Sequence, residues 1–248
     1  MKKLLAILLV LSTVLCFAAC GPTTTDPSKT SINVCLASEP QTLDPALNSA
    51  VDGATMCAHL FSGLAKWAQD KDGKLVIVPD LVTELVEGVV DEATGKVTYT
   101  YTLKDGLKWS NGDALTAADF VNSWNRAADD AFGADYGYMF EVVDGYADIY
   151  ATTDKLDENG NVVLDEETGE PVQVPLYPDA KLNVTAKDEK TIEVVLANAV
   201  AYWNELLAFP TYYPVHSSAF DNDEWATDPS TYINNGPYTM KSWEPSVG

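Results

Sequence analysis

Cations are what this sequence has least of. Lys and Arg together number 15 against 37 Asp and Glu, a formal net charge of −22, and Arg126 is the only arginine in 248 residues. Nucleic-acid binding needs clustered cations to neutralise phosphates, so that class of partner is excluded. A bidentate guanidinium clamp on a ligand's phosphate or carboxylate is nearly excluded with it. Histidine is as scarce: His59 and His216 stand far apart, and neither belongs to a His-Glu-x-x-His helix. No Gly-x-Ser-x-Gly elbow occurs. Acidic pairs such as Asp129-Asp130 and Glu166-Glu167 follow from an acidic composition, so they argue weakly for a glycosidase. An enzyme is not expected, and no cofactor or metal is implied. Asp157, Asn159 and Glu166 around Gly160 come near the spacing of a calcium loop, but Lys155 stands where its first carboxylate belongs, which favours a solvated hairpin. Of four cysteines, Cys35 and Cys57 are the two left for a folded domain once Cys16 and Cys20 are set aside with the leader. One such pair is no disulfide framework, and either a bridge or two free thiols fits it.

Long apolar runs are missing too, except at the N-terminus. Met1-Lys2-Lys3 is followed by a run from Leu4 to Phe17, too short to span a bilayer comfortably but of the length of a secretory h-region. It ends in Phe17-Ala18-Ala19-Cys20-Gly21, which resembles a bacterial lipobox. Residues 1–19 therefore read as a lipoprotein signal peptide, Cys20 as the lipidation site, and residues 20–30 as a flexible tether. The alternative is an ordinary signal peptide cleaved after small residues, with Cys20 incidental.

With 46% hydrophobic residues the remainder can build a substantial core. Ser31–Leu36 is expected to form a strand, followed by a break at Pro40 and Pro45. Apolar residues at helical spacing predict a helix from about Ser49 to Leu64. Leu75–Val78 reads as a short apolar run, Asp80 to Val86 as a short helix, and Val97–Leu103 as the clearest alternating strand. Thr116 with Asp119 predicts a helix start of capping-box type, carrying Phe120, Val121, Trp124, Ala127 and Ala128 on one face. Residues 157–170 read as turns flanking a surface hairpin, Ile192–Leu196 as a strand and Tyr202–Leu207 as a short helix. Interleaved strands and helices make the class mixed α/β. Trp109 and Trp124 are expected in the core.

The order of motifs carries a more specific resemblance. Glu39-Pro40-Gln41-Thr42-Leu43-Asp44-Pro45, Leu60-Phe61-Ser62-Gly63-Leu64, Tyr101 through Asp113 with its Trp109-Ser110-Asn111-Gly112-Asp113 end, Leu115 through Trp124, Thr191–Leu196 and Asn235-Gly236-Pro237-Tyr238 follow one another. This series resembles the oligopeptide/dipeptide-binding family of ABC-transporter extracytoplasmic solute-binding lipoproteins, bacterial solute-binding protein family 5. The resemblance implies a periplasmic-binding-protein-like fold, type II, cluster C. In it a first lobe (residues 31–61 with 186–248) is interrupted by an extra α+β accessory domain (62–185). The family's second lobe has no counterpart, so the chain resembles the N-terminal portion of a longer protein and is expected to bind peptide weakly by itself.

The function so implied is capture of peptides, oligopeptides or dipeptides, outside the cytoplasm. The partners are an ABC permease with its ATPase subunits, and the membrane through lipid on Cys20; the protein is expected to be a monomer. Relatives line the cleft just after Leu-Asp-Pro, which points to Asn48, Ser49 and Val51, and with a tyrosine after the Trp124 helix, matched by Tyr136 or else Tyr138. Two alternatives share these motifs: a surface lipoprotein with an interaction role, and a carrier of another solute such as a nickel chelate or an oligosaccharide.

Overall fold

The computed structural model describes residues 31–244; the expected signal peptide, Cys20 and the expected tether lie outside the described residues. Residues 37–244 belong to one compact unit, and residues 31–36 to another. Among the described residues no helix is long and apolar enough to cross a membrane.

The scaffold is a four-stranded antiparallel sheet in the order β3-β4-β8-β7, built from Val89–Val90 (β3), Val97–Thr102 (β4), Thr191–Leu196 (β8) and Val184–Ala186 (β7). The alternation read from the sequence sets which face is dry. Ile192, Val194 and Leu196 of β8 are buried, with Val97 and Tyr101 beside them on β4, in the register Tyr101↔Ile192 and Val97↔Leu196. This sheet joins strands from either side of residue 186, through the long pairing of β4 with β8. Two hairpins stand apart from it: Ala65–Gln69 (β1) with Leu75–Pro79 (β2), and Thr152–Asp154 (β5) with Gln173–Pro175 (β6).

Over the sheet lies the long helix Ala117–Ala128, which we number α2 after Val51–Leu60 (α1). Its start is the capping box expected from Thr116 and Asp119: the Thr116 backbone N–H donates to Asp119 Oδ2 at 2.7 Å. Phe120, Trp124, Ala127 and Ala128 are buried on one face. Trp124 is the centre of an aromatic cluster, edge-on to Tyr212 (5.2 Å) and Trp203 (6.3 Å) and tilted against Phe140 (6.0 Å). Its Nε1 donates to the Tyr212 carbonyl at 2.8 Å, so the indole is buried without an orphaned donor. Trp203, in the short helix Trp203–Leu206 (α4, after Tyr146–Ile149, α3), likewise donates to the Tyr101 hydroxyl at 2.9 Å.

Three expectations are corrected. Residues 31–36 form no strand. A strand requires a ladder as well as apolar residues, and no pairing includes this segment. Residues 80–86 form no helix: Val82 bridges Leu103, while Thr83 N–H donates to Thr102 O and Lys104 N–H to Leu81 O, so the end of β4 takes up backbone groups that a helix would need. Helix α1 stops at Leu60 rather than Leu64, for a reason given below. The 157–170 region forms two tight turns; the Asp157 carboxylate accepts the backbone N–H groups of Asn159 and Asn161, and the ladder proper lies outside, at β5 and β6. Cys35 and Cys57 are both free, Cys35 exposed and Cys57 buried.

Candidate functional site

Three of the motifs that carried the resemblance, Leu60–Leu64, Trp109–Asp113 and Asn235–Tyr238, meet in space. Ser62 and Asn235 form a reciprocal pair: Ser62 N–H donates to Asn235 Oδ1 and Asn235 Nδ2 to Ser62 O, both at 3.0 Å. The Gly236 N–H donates to Leu60 O at 2.8 Å, and Asn234 Nδ2 also donates to Leu60 O. These bonds draw the chain out of helical geometry after Leu60, with Phe61 at φ −126°, ψ 162°. Both motif glycines are required by close approach: a Cβ on Gly236 would lie 2.4 Å from the Leu60 carbonyl carbon, and one on Gly63 would lie 2.7 Å from the Tyr213 ring. The Trp109–Asp113 turn joins the same junction, Ser110 N–H donating to Asn234 O at 2.8 Å. Trp109 is buried there, edge-on to the His216 ring at 5.5 Å, and His216 Nε2 lies 3.1 Å from Asp113 Oδ2.

The Leu43-Asp44-Pro45 segment is also built in rather than presented. Asp44 is 1% exposed; its carboxylate accepts the Ala46 N–H at 2.9 Å and the lone arginine from two directions, Arg126 Nη2 at 2.7 Å and Nη1 at 3.4 Å. The same guanidinium stacks 3.9 Å above the Phe132 ring. Cys57 lies beneath this segment with its Sγ 3.6 Å from Leu43 O; burial, reinforced by the Asp44 charge, pushes its thiol up to about 12. Tyr232 closes the seam by donating its hydroxyl to Leu43 O at 2.9 Å.

The residues expected to touch ligand fall in two places. Asn48 is buried, and its amide closes on the start of α1, Nδ2 donating to Ala50 O at 3.0 Å and Oδ1 accepting from Ala50 N–H at 3.4 Å. Ser49 and Val51 beside it are exposed, Val51 by 82%. Tyr136 and Tyr138 stand together after α2, ring centroids 6.2 Å apart, with Tyr138 exposed and Tyr136 half-buried edge-on against Phe209 at 5.1 Å. Phe209 was not singled out from sequence; it follows α4, and nothing local marks it as a neighbour of Tyr136. A separate cavity of about 600 Å³ opens between the end of α2 and the β5–β6 hairpin, lined by Asn125, Arg126, Tyr150, Val174 and Tyr177 among others. None of Asn48, Ser49, Val51, Tyr136 or Tyr138 lines it.

Comparison with known proteins agrees with the family resemblance of the sequence. The chain is 30% identical over 221 residues to the oligopeptide-binding protein OppA of Bacillus subtilis, covering 88% of this chain and 34% of that protein. It is 35% identical over 155 residues to a dipeptide-binding protein of Lactococcus lactis, covering 62% of this chain and 24% of the other. Among solved structures it resembles OppA of Burkholderia pseudomallei with a TM-score of 0.63 and 32% identity, over 85% of this chain and 35% of that one. The chain thus spans about a third of the length of such relatives. The sequence model of the bacterial extracellular solute-binding proteins, family 5 (middle region), matches residues 76–248. With the motif junction and the fold both in place, the chain belongs to the family 5 bacterial extracellular solute-binding proteins.

Proposed function

We propose that this chain forms part of the extracytoplasmic binding component of an ABC importer, one that captures peptides and hands them to a membrane permease. The observation that carries the reading is its 30–35% identity to an oligopeptide-binding and a dipeptide-binding protein. A carrier of varied peptides must recognise what all peptides share, backbone and termini, and accept side chains in roomy, hydrated space. In this reading Ser49 and Val51 offer an exposed edge at the start of α1, Asn48 holds that edge in shape, and Tyr138 and Tyr136 offer aromatic faces with polar tips. Residues 31–61 and 186–248 make up the first lobe and residues 62–185 the accessory domain, with the four-stranded sheet shared across their second border.

Affinity in such carriers grows with the ligand surface enclosed, so contacts from this portion alone give dissociation constants on the order of millimolar. NMR titration of the purified chain with a mixture of short peptides tests this. Shifts centred on Ser49, Val51, Tyr136 and Tyr138 are expected, and shifts confined to the cavity beside Tyr150 and Tyr177, or none at all, would refute it. In the same proposal Cys20 carries the lipid that holds the protein at the membrane, where two or more chains give stable attachment. Cys20→Ala is then expected to abolish metabolic labelling with palmitate, and unchanged labelling would sink the anchor.

A further inference from the structure

Arg126 is chemically conspicuous, being the only guanidinium in an acidic chain. It is largely buried: its side chain is 13% exposed and that of its partner Asp44 2%, and the part left open borders the cavity beside Tyr150 and Tyr177. Its edge and its face are used separately. The edge forks onto Asp44, whose main chain starts the turn that leads to Ser49 and Val51: the Asn48 N–H donates to Asp44 O at 2.9 Å, and Asn48 in turn holds Ala50. The face stacks on Phe132, in the short 3-10 turn Asp130–Phe132, beyond which the chain reaches Tyr136 and Tyr138. That second segment is itself pressed onto α2, since a Cβ on Gly137 would lie 2.7 Å from Ala127 O. Two segments distant in sequence, each leading to one group of the proposed ligand contacts, therefore share one rigid planar group between them.

We propose that Arg126 is a positioning residue for the peptide-contact surface, setting the Ser49–Val51 turn and the Tyr136–Tyr138 segment in a fixed spacing. This deepens the peptide-binding reading and rests on it. A buried ion pair is a poor device for stability alone, because desolvation cancels most of its attraction; its use lies in admitting one arrangement of the groups around it. Lysine cannot replace it, since a point charge has neither the fork for Asp44 nor the plane for Phe132.

Nitroxide labels at Ser49→Cys and Tyr138→Cys, both exposed positions, read the spacing directly by pulsed electron spin resonance. The full chain carries Cys16, Cys20 and Cys35 replaced by serine, and buried Cys57 is retained. The parent is expected to show one narrow distance distribution. Arg126→Met, and the double variant Asp44→Asn/Arg126→Met that leaves no buried charge behind, are expected to broaden it while the thermal midpoint of the double variant stays near the parent's. Arg126→Lys should restore the width only in part. In the unlabelled proteins, NMR titration with the short-peptide mixture should show about a tenfold weaker affinity for the double variant. A double variant as narrow as the parent overturns the proposal. So does loss of fold in both charge-removing variants, because the pair then serves the fold itself. If the parent binds no peptide, the functional reading fails, while the distance arm still decides whether Arg126 sets the spacing.

Discussion

Gly236→Ala tests the motif junction most sharply. The added Cβ would meet the Leu60 carbonyl carbon at 2.4 Å, its oxygen at 2.5 Å and Phe61 N at 2.6 Å. All three are backbone atoms, so no rotamer change relieves the clash. Ordinary contact between carbon atoms is about 3.5 Å or more, so the two backbones must separate by about 1 Å. Such a shift takes the Gly236 N–H to Leu60 O bond, now 2.8 Å, beyond hydrogen-bonding distance, and strains the reciprocal Ser62–Asn235 pair at 3.0 Å. Three bonds at about 0.5–1.5 kcal/mol each give a loss of about 1.5–4.5 kcal/mol. Gly112→Ala is the control: Gly112 has φ +97° but nothing within 4 Å of a Cβ, so it incurs backbone strain alone, about 1–2 kcal/mol. Urea unfolding of the purified chain, followed by tryptophan fluorescence, reads both. A Gly236→Ala protein within about 0.5 kcal/mol of the parent would refute the reasoning, since it would mean the junction yields without losing its bonds.

Three further outcomes are expected. Trp124→Phe keeps the ring cluster but leaves the Tyr212 carbonyl without its 2.8 Å donor, at about 1–3 kcal/mol, whereas Trp124→Ala opens the core at about 3–5 kcal/mol; equal urea midpoints for the two would contradict this. Burial raises the Asp144 carboxyl, but the hydrogen bonds from Lys96 and Asn183 and the Lys96 charge outweigh it and hold the group below the ordinary carboxylate value. A depressed folded pKa stabilises above the unfolded value and is lost as pH falls through the folded one, so Asp144→Asn should flatten the stability curve below about pH 4; superimposable acid limbs would exclude the effect. Cys57, with its thiol pushed up to about 12, should resist alkylation at pH 8 until the protein unfolds while exposed Cys35 reacts at once, which peptide mapping by mass spectrometry will show; early labelling of Cys57 would mean the Leu43–Asp44 seam opens in the native state.

What the residues declare by themselves is local or repetitive. The alternation from Val97 onward, the apolar stripe of α2 and the Thr116–Asp119 box each depend on neighbours within a few positions, and the structure contains all three. The ordered motifs identified the family, because their spacing along the chain needs no coordinates to be recognised. Tertiary structure decided the rest wherever a backbone group found its partner far away. Residues 80–86 have a helical composition, yet their backbone bonds go to Gly63–Leu64 and to Thr102–Lys104, so no helix forms. Apolar spacing carries α1 on to Leu64, but Asn235 and Gly236, over 170 positions along, take up the backbone of Leu60 and Ser62 and end it early. Asn48 reads as an exposed polar contact, but the start of α1 folds back over it and uses its amide internally. A lone arginine reads as an absence of anion binding; only the folded chain, by bringing α2 against the Leu-Asp-Pro turn, turns it into the partner of Asp44. Local pattern is set by sterics and periodicity within a few residues, whereas these pairings depend on which distant groups must be satisfied once water is excluded.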